Sequence, residues 1–133
     1  MNFIKLGNRI RQLKCFTIYF VVYFFTLFYK KKHNTWLISE RGIDARDNGY
    51  VFYKFLKKEH PEILVKFVIT YNSPDRRRID EVDVINYGSL KHYYLYITSP
   101  VLISTHYQGY SPNLDLFYKI GRAHVWTPVT VRN

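Results

Sequence analysis

Cysteine pairs, zinc-type spacings and nucleotide fingerprints are all missing from this sequence, and each absence excludes a kind of site. Cys15 is the only cysteine, so the chain cannot form an internal disulfide. No paired Cys/His spacing matches a zinc site. Neither a GxGxxG fingerprint nor a P-loop pattern occurs, so dinucleotide and P-loop sites have no support. We expect no metal and no cofactor.

Acidic residues are missing from the first part of the chain, which makes the net charge of +10 very uneven. Residues 1–39 contain seven basic residues and no acidic one, whereas residues 40–119 contain eleven basic and ten acidic residues. A nucleic-acid-binding protein usually carries its positive charge on the folded domain. Here the excess lies beside an apolar segment. This favours an anionic membrane surface as the partner, and no nucleic acid.

The apolar segment covers residues 15–29 and is rich in aromatic side chains. As a helix it would be roughly 22 Å long, shorter than the ~30 Å hydrocarbon core of a bilayer. We therefore expect residues 1–34 to form a basic, hydrophobic helix that is peripheral to the membrane or shallowly inserted. A spanning helix and a helix buried against the rest of the protein are the alternatives. The candidate membrane contacts are Arg9, Arg11, Lys14, Phe20, Phe24, Lys30, Lys31 and Lys32.

Residues 35–118 alternate between strand and helix patterns. Residues 63–70 are β-branched and almost continuously apolar, as in a parallel strand covered on both faces. Asp47 or Asn48 can cap a helix with apolar positions Val51, Phe52, Phe55 and Leu56. Ser89 can cap a second helix over residues 90–98. With further strands at residues 35–39, 84–87 and 101–105, the pattern predicts an α/β fold with a partial Rossmann-like parallel sheet.

Two loops follow predicted strands at the edge where open α/β sheets bind ligands. They are residues 40–49 and residues 106–113. The first loop leads to a helix N-terminus, where free backbone N–H groups favour an anion. Arg41 and Arg46 could add charge-assisted hydrogen bonds to a phosphate. The alternative is a solvated, salt-bridged loop. The substrate-binding candidates are Arg41, Arg46, Asn48, Gly49 and His106.

His106 is the histidine placed directly after an apolar strand. It could be a general base or a ligand, and the alternative is a hydrogen bond that orients the loop. His92 is expected on a helix surface, in a structural role. The arginine triplet at residues 76–78 predicts a solvated turn, or else contact with a phosphate or lipid headgroup. No Ser/His/Asp set, carboxylate pair or metal cluster can be assembled from residues 35–118.

The C-terminal tail has an unusual composition. Residues 120–130, IGRAHVWTPVT, resemble the translation of a common sequencing adapter, with an in-frame TGA read as Trp126. We therefore expect residues 119–133 to be non-native, with an ordinary C-terminal strand as the alternative.

Several motifs within residues 35–118 resemble the CDP-glycerol glycerophosphotransferase family of teichoic-acid biosynthesis. The strongest likeness covers residues 36–60, where a strand ending in Ile-Ser precedes an acidic-Arg pair, an Ala-Arg-Asp-Asn-Gly loop and an aromatic helix. The motifs occur in the order in which family members carry them. The other matching segments are residues 73–75 (SPD), 87–92 (YGSLKH), 102–106 (LISTH) and 110–113 (YSPN).

The resemblance implies a GT-B-like enzyme of two Rossmann-like domains, of which this chain carries the acceptor-side half. Such enzymes move glycerol phosphate from CDP-glycerol to a lipid-linked acceptor at the cytoplasmic face of the bacterial cell membrane. The family's catalytic and donor-site residues would lie beyond Tyr118, so no catalytic residue is expected in this chain. CDP-glycerol would bind only with the missing C-terminal domain, and the fragment alone would be inactive. The alternative function is a small, non-catalytic membrane-surface binding domain.

Overall fold

The computed structural model describes residues 2–28, 34–106 and 112. Within these residues the chain forms a four-stranded sheet of order β3-β2-β1-β4, in which every pair of neighbours is parallel. The strands are β1 (Thr35–Ser39), β2 (Leu64–Ile69), β3 (Val84–Asn86) and β4 (Val101–Ser104), and the helices are α1 (Asn2–Phe28), α2 (Asn48–Glu59) and α3 (Leu90–Thr98). The predicted α/β, Rossmann-like parallel sheet is confirmed.

The sheet is covered on both faces, which explains why β2 is almost continuously apolar. Side chains alternate between the two faces of a strand. Ile38 and Phe67 therefore pack with α2 on one face, while Leu37 and Val68 pack with α3 on the other. Each observed strand begins and ends within one residue of its predicted bounds. For example, β2 covers Leu64–Ile69, where residues 63–70 were predicted.

Helix α2 begins where the sequence predicts, but it buries a different face. Asp47 is its N-cap and accepts a hydrogen bond from the backbone N–H of Asn48. The buried residues of α2 are Gly49, Tyr53 and Leu56, whereas Val51 and Phe55 are exposed. The predicted core positions were therefore wrong except for Leu56 and the half-buried Phe52. Positions 49, 53 and 56 form one helical stripe, and a tyrosine rather than a phenylalanine occupies its centre.

Tyr53 is preferred at that position because its hydroxyl reaches a buried carboxylate. The Tyr53 hydroxyl donates to Asp83 Oδ2 at 3.0 Å. Lys57 Nζ lies 2.7 Å from the same oxygen, and Lys66 Nζ lies 3.0 Å from Asp83 Oδ1. Burial by itself raises the pKa of Asp83, but the hydrogen bonds from Lys57, Lys66 and Tyr53 outweigh it and hold that pKa below its ordinary value. The Asp83 cluster thus ties α2 to β2 and to the start of β3.

Helix α3 is capped by Ser89, whose hydroxyl accepts a hydrogen bond from the His92 backbone N–H at 3.2 Å. His92 is completely buried, so its predicted place on the helix surface was wrong. The Gly88 backbone N–H donates to His92 Nδ1 at 3.1 Å. This contact keeps Nδ1 unprotonated and turns the imidazole inward against the loop that precedes α3.

Helix α1 lies against α3 and is longer than the apolar segment that predicted it. It has 27 residues, because the basic stretch before Cys15 is also helical. Arginine, lysine, leucine and glutamine are all good helix formers, so this stretch extends the helix without being apolar. Residues Leu6–Phe28 are long and apolar enough to cross a membrane by length and composition. The length argument against a spanning helix was therefore wrong.

The docking of α1 is one-sided. Cys15 and Thr26 are buried, and the Cys15 side chain is hydrogen-bonded to Tyr93 of α3. The opposite side of α1 exposes its large apolar side chains, including Phe20 and Phe24. Arg9, Arg11 and Lys14 are also exposed. Lys30, Lys31 and Lys32 lie outside the described residues, as do most of the second predicted loop and the tail at 119–133.

Candidate functional site at the carboxyl edge of the sheet

The strand order places a topological switch point between β1 and β4. After β1 the chain leads to α2 on one face of the sheet, whereas β4 is reached from α3 on the other face. In open α/β sheets a switch point of this kind marks a crevice outside the carboxyl ends of the two strands. Ligands of open α/β sheets bind in this position, so we take the crevice as the candidate site.

Glu40, the first residue after β1, closes the base of this site. Its side chain is fully buried, and its carboxylate accepts three backbone hydrogen bonds, from Arg46 at 3.0 Å, Asp47 at 3.0 Å and Tyr50 at 2.8 Å. These donors belong to the turn entering α2 and to its first turn. A negative charge at a helix N-terminus is stabilised both by such N–H groups and by the helix dipole. The chain therefore places its own carboxylate where an external anion was expected.

Gly49 makes room for this arrangement. A Cβ added at Gly49 would lie 2.8 Å from Cγ of Glu40, closer than carbon atoms approach without displacement. The predicted substrate contact at Gly49 is thus a buried packing position beneath Glu40, while Asn48 beside it is exposed. The expectation that the N–H groups at this helix end are free is corrected for Asp47, Asn48 and Tyr50, since each binds a side-chain oxygen.

The two candidate arginines are paired with carboxylates of the chain. Arg41 lies 3.1 Å from Asp44, and Nε of Arg46 lies 2.6 Å from Asp75 Oδ2. The hydrogen bond to Asp75 raises the pKa of Arg46, and the same bond lowers the pKa of Asp75 below its ordinary value. Both arginines remain largely exposed beyond these contacts. Asp75 itself is buried, so its effect is to orient Arg46.

His106 lies on the other side of the crevice, after β4. The Thr105 hydroxyl is 3.0 Å from His106 Nδ1, and the His106 backbone N–H donates to the Ser104 hydroxyl at 3.3 Å. The Ser104 hydroxyl in turn lies within hydrogen-bond distance of the carbonyl oxygens of His106 and Glu40 and can donate its single proton to either one. The structure therefore joins the loops after β1 and β4 through Ser104. These contacts orient the loop around His106, as the alternative interpretation of that residue predicts, and leave its chemical role a prediction.

Sequence reasoning missed Glu40 and Asp75 as the residues that organise this edge. Both carry weak signals. Glu40 follows a buried strand directly and is separated by a short loop from a glycine in a helix, and Asp75 follows a Ser-Pro turn. Neither signal specifies which backbone N–H groups or which arginine the carboxylate will bind, because those partners are set by the path of the loop.

No group of histidine, cysteine and carboxylate side chains that could hold a metal ion occurs among the described residues.

Comparison with known proteins gives one match. No curated protein and no solved structure matches the chain significantly. A family model described as CDP-glycerol:poly(glycerophosphate) glycerophosphotransferase matches residues 18–123, from within α1 through the whole sheet and both of its edges. The chain therefore belongs to this glycerophosphotransferase family.

Proposed function

We propose that this chain is the acceptor-side half of an enzyme that transfers glycerol phosphate, or a related polyol phosphate, from a CDP-alcohol to a membrane-lipid-linked acceptor. The product would be teichoic acid or another cell-surface polymer. The observation that carries the proposal is the family match over residues 18–123, which includes every described strand. The loop and strand-end motifs that resemble the same family lie within this matched segment and agree with it.

The geometry of the sheet supports the acceptor-side assignment. In a GT-B-like enzyme the active site lies between two Rossmann-like halves, and each half presents the carboxyl edge of its sheet. The crevice between β1 and β4 lies at that edge. The N-terminus of α2, which binds the pyrophosphate in a dinucleotide fold, is occupied by Glu40. We therefore assign CDP-glycerol to a second half, and the growing acceptor to this one.

Helix α1 supports a location at the cytoplasmic face of the bacterial cell membrane, either peripheral or shallowly inserted. Its outer side exposes apolar side chains, and its first turns carry exposed basic residues. Basic side chains near an anionic surface contribute about 1 kcal/mol each. A helix held against α3 along one side has its other side available for lipid, which would bring the crevice close to a lipid-linked acceptor.

A transfer assay tests the proposed function. The gene is expressed with its downstream reading frame taken from source DNA, and labelled CDP-glycerol is supplied with membranes containing a lipid-linked acceptor. We expect label in the polymer with the extended protein and none with residues 1–133 alone. A second Rossmann-like half needs on the order of 200 further residues. If the frame stops at once and no transfer occurs, the chain is instead the non-catalytic membrane-surface domain that the exposed side of α1 would also fit.

A vesicle assay tests the location separately. The full chain is mixed with vesicles of anionic or neutral lipid at several salt concentrations. We expect binding to anionic vesicles that weakens with added salt, since the basic side chains of α1 are exposed. Removing residues 1–34 should abolish it. Equal binding to neutral vesicles, or binding that survives the deletion, would contradict the role of α1.

A further inference from the structure

The turn after β2 carries three consecutive arginines on a short 3-10 helix, Pro74–Arg78. The Ser73 hydroxyl accepts a hydrogen bond from the Asp75 backbone N–H at 3.2 Å, and Pro74 begins the helix. Successive residues of a 3-10 helix project about 120° apart. The three arginine side chains therefore point in different directions along the carboxyl edge of the sheet, where they do not crowd one another.

Arg76 is held in place by neutral groups. Its guanidinium donates to the Asn86 side chain at the end of β3 and lies 5.4 Å from the centre of the Tyr71 ring. Arg77 is exposed. Among the described residues, no carboxylate lies within ion-pair distance of Arg76 or Arg77. A guanidinium fixed by an aromatic ring and an amide keeps its full positive charge for a ligand.

Arg78 and Arg46 share a single carboxylate. Arg78 Nε lies 3.4 Å from Asp75 Oδ1, while Arg46 binds Asp75 Oδ2 at 2.6 Å. Arg78 also lies 5.9 Å from the centre of the Tyr50 ring. We call Arg46, Arg76, Arg77 and Arg78 the arginine rim. Four cations and one buried carboxylate, which Arg46 and Arg78 bind, leave the rim with a large excess of positive charge, whereas the rest of residues 40–119 holds seven basic and nine acidic residues.

The rim adjoins the crevice between β1 and β4. The Thr70 backbone N–H, at the end of β2, donates to the Gly42 carbonyl oxygen at 2.7 Å and joins the turn after β2 to the loop after β1. In that loop, the Arg46 backbone N–H binds Glu40 while its side chain belongs to the rim. A ligand lying along the rim therefore passes directly to the candidate site.

We propose that the arginine rim binds the phosphodiester groups of the polymeric acceptor, with the end of that polymer directed into the crevice. The inference rests on the proposed function for the identity of the acceptor. A poly(glycerophosphate) chain carries one negative charge per repeat, and an array of separated guanidinium groups matches an array of separated phosphates. Arginine suits this purpose because its planar donors bind phosphate oxygens in pairs.

The test measures binding of a labelled glycerol phosphate oligomer to the full chain in the presence of detergent. We expect Arg76→Ala/Arg77→Ala to weaken binding roughly tenfold or more, because each charge-assisted hydrogen bond that is lost accounts for about that factor. Arg77→Glu, at an exposed position that leaves the fold intact, should weaken binding as well. Lys91→Ala is the matched control: Lys91 is exposed on α3, which covers the opposite face of the sheet from α2, and we expect no change.

Two further measurements identify the ligand. Inorganic phosphate should compete only at much higher concentration than the oligomer, and binding to anionic vesicles should be unchanged in Arg76→Ala/Arg77→Ala. The proposal is overturned if the wild type does not bind the oligomer, if Lys91→Ala weakens binding equally, or if the rim variants lose vesicle binding instead. Transfer activity is scored separately. An active extended enzyme that is indifferent to the rim variants rejects this inference alone, whereas an extended enzyme that binds the oligomer but transfers no glycerol phosphate rejects the proposed function.

Discussion

The two most apolar segments of the molecule, β2 and α1, have opposite fates. In β2, Phe67, Val68 and Ile69 are completely buried, because α2 and α3 cover both faces of the sheet. In α1, Phe20 and Phe24 are 55% and 59% exposed, because among the described elements the main contact of this helix is with α3, along one side. Apolar content alone therefore does not tell whether a segment stabilises the fold or is available for an external partner.

Charged residues show the same contrast. In the sheet unit, Glu40 is bound by backbone N–H groups, Asp75 by Arg46, and Asp83 by Lys57 and Lys66. On α1 the side chains of Arg9, Arg11 and Lys14 are exposed, and residues 1–39 offer no acidic side chain to pair with them. Apart from the arginine rim, the sheet unit thus satisfies its core apolar side chains and these three buried carboxylates internally. The outer side of α1 leaves both kinds of group for a surface that is apolar and anionic.

The largest effect should come from truncating the same side chain in the two segments. Phe67→Ala removes a fully buried ring and is expected to lower the free energy of unfolding by about 3–5 kcal/mol. Phe24→Ala removes an exposed ring and should change it by about 0.5 kcal/mol or less. Urea unfolding in detergent measures both.

For vesicle binding we expect the opposite order, with the larger effect from Phe24→Ala and the smaller from Phe67→Ala. Phe24→Ala should weaken partitioning into anionic vesicles roughly tenfold, since burying a phenylalanine contributes about 1.5–3 kcal/mol. Any Phe67→Ala protein that remains folded should bind normally. If Phe24→Ala destabilises the protein as strongly as Phe67→Ala, α1 is covered by protein, and the contrast between the two segments fails.

The next effect concerns the buried carboxylate at the candidate site. Glu40→Ala removes the acceptor for three backbone N–H groups and should cost about 2–3 kcal/mol of stability. Gly49→Ala should cost about 1–3 kcal/mol, because its Cβ would meet Glu40 Cγ. In the double variant the clash is gone, so the two costs should not add. Thermal unfolding of the four proteins measures this coupling, and strictly additive costs would show that Gly49 is required for another reason.

Much of the fold could be predicted because its signals are local. Ser89 and Asp47 cap helices at the predicted positions, and the apolar run of residues 63–70 predicted a strand buried on both faces. The buried face of α2 could not be predicted in the same way. Tyr53 rather than Phe55 is buried because its hydroxyl binds Asp83, which lies thirty residues away along the chain. No local periodicity carries that information.

For the candidate site, the sequence predicted which two loops lie at one edge of the sheet but not the contacts that these loops make. The loops after β1 and β4 do meet at the carboxyl edge, through Ser104 and the Glu40 carbonyl oxygen. Strand order alone implies that meeting. The partners of Glu40 and Arg46 are set by the path of the loop. From the sequence alone, an acidic residue beside an arginine predicts a salt bridge between the two just as well. Helix α1 (Asn2–Phe28) lies within the predicted helix of residues 1–34, and it extends beyond the apolar run because helix length also depends on good helix formers that are charged.

The smallest effect should be a pH dependence that belongs to the sheet unit and not to α1. Asp83 has its pKa lowered in the folded protein, so its contribution to stability is fully present above the unfolded value of about 3.9 and is lost as the pH falls through the folded value. Asp83→Asn should therefore cost about 1–2 kcal/mol at pH 7, and the difference from wild type should shrink below about pH 4. Urea unfolding from pH 7 to pH 3 measures it.

Because Asp83 is buried and paired, added salt should change this difference little, while the same salt weakens vesicle binding by α1. A difference that disappears in salt at pH 7 would place the Asp83 cluster among the exposed charges, and the sheet unit would no longer differ from α1 in how its charges are satisfied.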